Sequence, residues 1–368
     1  MKIQSIEAIP LKVPYWDLAL PRNSNREFHG AHYLVLLKVQ TDDGLVGYGE
    51  TFSLYPLVQR ALVALIEDAM APVVVGSDAH DISAVSQKIQ ERFAAFGRGG
   101  LIANAMGALE IALWDIAGRR GGLPVHQLLG GAVKTEIPCI AALSSYLDSA
   151  IVADCAREAI NQGYRRVKIH ERDIDVIRAA RTAIGPDIPL IVDVNCHWSV
   201  EYARQVLPAL MECNPHFLED PIWPPENFDA LRQLKNQFDV PLATGADAST
   251  VWRFKEILDA DVISYAQPDV CTVGGILEFS KVAALCAMKG VTVSPHTPFY
   301  GPAMLATLHL LATISDDAGY SCLFVDYGFS ICGAAGTPNR GVLQVPQGPG
   351  LGFEPNPDFL EKYRVALT

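Results

Sequence analysis

LIVDVNCHWSVEYARQVLPALMECNPHFLED, residues 190 to 220, decides the reading of this chain. An apolar run closes on Asp193 and Asn195. Residues 200–214 then repeat apolar side chains at helical spacing and stop at Asn214, and a second apolar run closes on Glu219 and Asp220. Strand, amphipathic helix, strand is the unit of a parallel sheet. The unit recurs outward in both directions, through strands at IPCIAAL (137–143), RRVKIH (165–170), PLATGAD (241–247), VISYAQPD (262–269), VTVSPH (291–296) and CLFVDYG (322–328). Helical stretches such as SAIVADCAREAINQG (149–163) and LEFSKVAALCAMKG (277–290) lie between them. Eight such strands, with no long helical pattern after the last, predict an α/β fold closed into a parallel barrel.

The first third of the chain reads differently. Residues 2–14 and 31–51 alternate as strands, the second with Asp42-Asp43-Gly44 at its centre as a hairpin turn. Helical spacing follows near 56–72, 81–96 and 101–119. The expected division is an α+β capping domain over 1–130, the barrel over 131–328, and a Gly- and Pro-rich tail over 329–368 that runs back to the cap. The polar stretch 15–32 between the first two strands, with Arg22, Asn25 and His29, has the make-up of a lid loop, as does Tyr55; solvated surface is the plainer reading of all four.

Half of the residues are hydrophobic and 19% are charged, the balance of a packed soluble protein. A net charge of -12 argues against nucleic acid or an anionic membrane as partner. It leaves room for an anionic substrate where a bound cation reverses the local field. No membrane span is expected from the apolar runs, and MKIQSIEAIPLKVP lacks the apolar core of a signal peptide. Eight scattered cysteines without a CxxC pair read as reduced thiols, so cytoplasmic residence is expected.

The strand ends carry the chemistry. Lys168, Asp193, Glu219, Asp247, Asp269, His296 and Asp326 follow one another at 25, 26, 28, 22, 27 and 30 residues. In a parallel barrel that period places all of them on one rim, where barrel enzymes keep their active sites. Asp193 and Glu219 end neighbouring strands and offer oxygen ligands, which suit Mg²⁺. Lys168 and His170 alternate onto one side of their strand. Asp269 and His296 can pair, leaving one imidazole nitrogen as a base. Such a set suits removal of a proton beside a carboxylate, whose enediolate must be neutralised as it forms.

Taken with VGYGE (46–50), ALEIALWDIAG (108–118), VKIH, IVDVN, FLEDP, QPDVCTVGG (267–275), SPH and the GPGLG tail, the chain resembles the enolase superfamily, in its mandelate racemase and muconate-lactonizing group. The resemblance implies a (β/α)7β barrel under a cap, and a homo-oligomer. It implies Mg²⁺ on Asp193 and Glu219, with Lys168 assisting the substrate carboxylate and His170 as base on one face. Asp269 and His296 would act on the other face, and Asp326 would contact the substrate carboxylate. Apart from the resemblance, Asn195 at its strand end and Tyr55 in the cap are expected to line the substrate.

Two departures stand out. His170 replaces a lysine yet keeps a titratable base, its ordinary pKa of ~6.5 lying nearer neutrality than lysine's ~10.4. In PLATGADAS, Ala246 stands at the relatives' glutamate. Asp247 is taken as the replacement third ligand, which requires a bulge after Gly245 to turn it inward. The expected reaction is dehydration of an acid sugar; racemisation or epimerisation, and a metal-impaired binding or vestigial protein, remain alternatives. Cycloisomerisation is disfavoured because relatives of that type carry lysine where this chain has Asp269. Plainer roles also exist: Asp193 as a helix cap, Asp220 as a turn acid, His170 as a buried imidazole, and Trp198, Phe299 and Tyr300 as core instead of pocket wall.

Overall fold

The computed structural model describes residues 1–18, 30–328 and 330–367. The lid residues Arg22, Asn25 and His29 lie outside the described residues.

Strand Ile3–Asp17 pairs antiparallel with Gly30–Thr41, which pairs in turn with Val46–Phe52. The hairpin turns at Asp42-Asp43-Gly44, where Gly44 takes φ +88°, a conformation that favours glycine. Helix Gly100–Gly121 packs behind this sheet. That helix is long and apolar enough by length and composition to cross a membrane, but most of it is buried inside the protein. Its two inner acids are satisfied there: Glu110 accepts the Ser86 hydroxyl, and Asp115 accepts the N–H of Tyr48.

The barrel strands run in chain order as Glu136–Leu143, Val167–Ile169, Leu190–Asp193, Phe217–Glu219, Leu242–Thr244, Tyr265–Ala266, Thr292–Val293 and Tyr320–Leu323. Neighbours pair in parallel from the first through to the seventh, and the eighth pairs with the first. The seventh and eighth are joined by the Thr297 hydroxyl, which donates to the Ser321 carbonyl at 2.7 Å. Seven helices, from Ser149–Asn161 to Pro302–Ala312, fill the connections. Polar side chains cap the first four at the mouth side, the fourth through Asn227, which accepts from the N–H of Ala230. Asp148 accepts from the N–H of Ala150 and Ile151, Asp173 from Asp175 and Val176, and Ser199 from Tyr202.

Inward positions form two layers. Ile140, Ile191, Phe217 and Ala243 plug the floor, with Tyr265 packed against them. Two residues further along their strands, alternation brings Asp193 and Glu219 to the open end. After Leu323 the chain leaves the barrel. Val325–Asp326 instead pairs antiparallel with Trp16 and Asp17 of the cap. Val342–Gln344 then pairs with the start of the first barrel strand, and Leu351 N–H donates to Asp115 on the cap helix at 2.8 Å.

The cap is stitched to the barrel by buried acids. Glu50, from the VGYGE strand, accepts the N–H groups of Tyr300, Gly301 and Ala303 at 3.1, 2.8 and 3.0 Å. Glu110 accepts the N–H of Leu277 at 2.6 Å. Each carboxylate therefore sits on the N-terminus of a barrel helix, where unpaired N–H groups and the helix dipole favour negative charge.

Candidate active site

Pairing of the second, third and fourth strands sets the first cluster. Lys168 Nζ lies 3.0 Å from Asp193 Oδ2 and 2.6 Å from Glu219 Oε1, with all three side chains nearly inaccessible. Burial works against the Lys168 charge, but Glu219 and Asp193 outweigh it and hold the ammonium above its ordinary range. Asp193 is likewise held well below the carboxylate range by Lys168 and His170 despite its burial. Glu219 is pushed up, by burial and by the neighbouring Asp193 charge.

His170 reaches the same carboxylate, its Nε2 lying 3.3 Å from Asp193 Oδ2. Its Nδ1 faces the Leu143 carbonyl. A carbonyl only accepts, so Nδ1 carries the hydrogen and Nε2 is the nitrogen turned toward Asp193. Asn195, at φ +48°, donates both its backbone N–H (2.9 Å) and its amide Nδ2 (2.6 Å) to Asp193 Oδ1. Its nearest partner is thus Asp193, which it aims from the rim.

The second cluster spans the sixth and seventh strands. His296 Nδ1 lies 2.9 Å from Asp269 Oδ2, and Asp269 Oδ1 accepts the N–H groups of Cys271 (2.8 Å) and Thr272 (2.9 Å). Asp269 is buried, while the His296 ring is about one-third exposed. Burial opposes the imidazolium, but the Asp269 hydrogen bond and charge prevail and raise its pKa above 6.5. Lys168 and Glu219 also act electrostatically on this ring, so both clusters share one mouth.

Three expected residues are not brought in. Asp326 belongs to the short strand on the cap sheet, because the barrel ladder ends at Leu323, and its Oδ1 accepts the N–H of Gly328. It lines a cavity of about 770 Å³ between the eighth strand and the C-terminal segment, together with Phe299 and Tyr300. Asp247 is exposed and faces a groove with Arg98, Glu226 and Arg253. Ala243 faces inward, so unbroken alternation, and not the expected bulge after Gly245, is what would carry Asp247 inward; the pleat stops at Thr244, and Gly245 takes φ +118°. Tyr55 stands exposed at the start of cap helix Pro56–Ala64 and shares no hydrogen bond with the described residues of the mouth. Trp198 is a buried core residue, while Phe299 and Tyr300, also nearly inaccessible, stand in the wall of the cavity that Asp326 lines.

Among the described residues no group of three His, Cys, Asp or Glu is assembled as a metal site. The pair Asp193 and Glu219 nevertheless suits a hard cation. Glu219 Oε2 is buried without a hydrogen-bond partner, which leaves one carboxylate oxygen uncommitted beside a second carboxylate. Two carboxylates fit Mg²⁺; the third protein ligand expected from the fifth strand is absent from the cluster.

The sequence reading missed how the cap reaches the mouth. Asp17 accepts the Ser144 hydroxyl (2.7 Å) and the Tyr146 hydroxyl (2.9 Å), just past the first barrel strand. Glu171, next to His170, accepts the Tyr146 N–H at 2.6 Å. LSSY after an apolar run hints at a polar rim, but no local pattern couples it to Asp17.

A barrel with a Lys–Asp–Glu cluster and an Asp–His pair at its mouth, closed by an α+β cap, defines an enolase-type protein. Residues 151–359 match the family described as enolase C-terminal domain-like, and residues 7–130 match the mandelate racemase / muconate lactonizing enzyme N-terminal domain. The chain belongs to the mandelate racemase / muconate lactonizing enzyme family of the enolase superfamily. It is 29% identical to a D-galactarolactone cycloisomerase of Agrobacterium fabrum over 350 residues, covering 90% of this chain and 91% of that enzyme. It is 28% identical to an arabinonate dehydratase of Saccharolobus solfataricus over 340 residues, covering 90% of each. The crystal structure of a 3,6-anhydro-D-galactonate cycloisomerase from Zobellia galactanivorans superposes with a TM-score of 0.87 at 28% identity, covering 100% of both chains.

Proposed function

We propose that this protein removes the proton beside the carboxylate of an acid sugar and dehydrates it. The observation that supports this most is the His296–Asp269 hydrogen bond, with its carboxylate held by two N–H groups and its imidazole facing the field of Lys168 and Glu219. Dehydratases of acid sugars among the relatives support the same reaction class.

In this reading His170 Nε2 takes the α-proton, and the C–H electron pair becomes a C=C bond as the β C–O bond breaks. The His296 imidazolium gives its proton to the departing oxygen, which leaves as water, and the enol becomes a 2-oxo acid. Asp269 holds His296 in one tautomer and stabilises its cation. Lys168, ionised throughout, lies where the substrate carboxylate gains charge. Asp193 and Glu219 would hold Mg²⁺, which when bound neutralises charge on the enediolate. The partner is then a small carboxylate, and a homo-oligomer in the cytosol completes the proposal, the eight free thiols supporting a reducing compartment.

The cycloisomerases among the relatives support a second reading, in which a ring oxygen and not a hydroxyl is the leaving group. One experiment addresses both. Acid sugars and their lactones are incubated with enzyme and Mg²⁺ in D₂O, and NMR follows deuterium at the α-carbon of recovered substrate and at the β-carbon of a 2-oxo product, together with loss of water. Deuterium uptake with a 2-oxo product supports dehydration; ring opening without water loss supports the second reading. No uptake on any carboxylate would sink both.

A further inference from the structure

Helix Gly100–Gly121 carries a glycine in its interior, Gly107, fully buried where alanine would ordinarily be favoured by about 1 kcal/mol. A Cβ there would lie 2.7 Å from both Cα and O of Cys271 and 3.1 Å from its carbonyl carbon. Those atoms are backbone and cannot swing aside. Cys271 is also the residue whose N–H, with that of Thr272, holds Asp269 Oδ1, while Asp269 Oδ2 holds His296. Two further cap contacts meet the same turn: the Cys271 thiol donates to the Glu50 carbonyl at 3.0 Å, and the Thr272 hydroxyl to Asn104 Oδ1 at 3.4 Å.

We propose that Gly107 of the cap is a positioning residue for the Asp269–His296 pair, acting by direct backbone contact with the turn at Cys271. The cap helix is thus a stop against which the turn is set. A Cβ at Gly107 falls about 0.7 Å inside the 3.4 Å at which ordinary contact begins, so a methyl there forces helix and turn apart and shifts the turn. The two N–H groups move with it, and the carboxylate follows them away from His296.

The inference rests on the pair's role in the proposed reaction, but its test does not need that reaction. In ¹⁵N-histidine protein, the His296 Nδ1 proton is identified by its disappearance in His296→Asn. Wild type and Gly121→Ala, a change on the same helix with nothing within 4 Å, are expected to keep a slowly exchanging, hydrogen-bonded Nδ1 proton. Gly107→Ala is expected to lose it, with kcat falling on the order of 100-fold and KM nearly unchanged where a substrate is in hand. If Gly107→Ala does not fold in plain buffer, it and wild type are both measured in trimethylamine N-oxide, which favours the compact state. Retention of the Nδ1 signal in folded Gly107→Ala overturns the proposal. A chain inert toward every acid sugar would refute the proposed reaction and leave this measurement standing.

Discussion

Replacing Glu50 by glutamine should flatten the dependence of stability on pH. Glu50 is fully buried under the cap, and burial pushes its pKa up to about 7 although three backbone N–H groups and the helix end favour its charge. Its unfolded value is near 4.5. A carboxyl whose folded pKa is raised binds its proton more tightly in the folded state, so its contribution is complete in acid and is lost as pH rises through the folded value. Between about pH 5.5 and about pH 8 that loss amounts to ~2 kcal/mol for this one group. Glu110, raised to about 7, and Asp115, raised to about 6, act in the same sense and keep part of the slope in the variant. Glutamine cannot ionise, and its NH₂ faces N–H donors, so the variant should also be less stable by ~1–3 kcal/mol in acid. Urea unfolding at a series of pH values reads both effects. If wild type and Glu50→Gln gave parallel curves from about pH 5.5 to about pH 8, the assignment of this proton to Glu50 would be wrong.

The other expectations concern the mouth. Ala246→Glu should tighten Mg²⁺ binding by on the order of tenfold or more, since it adds a carboxylate at the end of the fifth strand, whereas Asp247→Asn should leave binding within about twofold; titration calorimetry decides, and a strong effect of Asp247→Asn would mean that its side chain turns inward. His296→Asn should lower dehydration by about 10²–10⁴-fold while α-deuterium exchange by His170 persists. The wild-type activity should need His296 protonated as acid, so it should fall as pH rises through a pKa above 6.5, a limb missing from the variant. Lys168→Met strands Asp193 and Glu219 together without their cation and should destabilise the fold by ~3–5 kcal/mol, read as a lowered urea midpoint in Mg²⁺-free buffer; an unchanged midpoint would show that the triad contributes nothing net.

Much of this protein could be read along the chain because its signals are local and periodic. Alternation within RRVKIH, IVDVN and FLED puts Lys168, His170, Asp193 and Glu219 on inward faces, and a repeat of 22 to 30 residues puts them on one rim. Asp269 and His296 meet for the same reason. The reading failed where periodicity stops. Asp326 was assigned by extending the eighth strand, yet the cap sheet captures that segment at Trp16 and Asp17. Asp247 depended on how the chain leaves its strand, and the positive φ at Gly245 sends it outward.

What the order of residues determined alone was therefore the barrel, the polar rim and the chemistry those side chains can perform. Tertiary structure decided which rim residues converge, through the docking of a cap whose contacts join positions more than a hundred residues apart, such as Glu50 with Gly301 and Gly107 with Cys271. Pleat and helix repeats are written in neighbouring residues. Close approach between distant backbones is a matter of shape, and only the packed molecule expresses it.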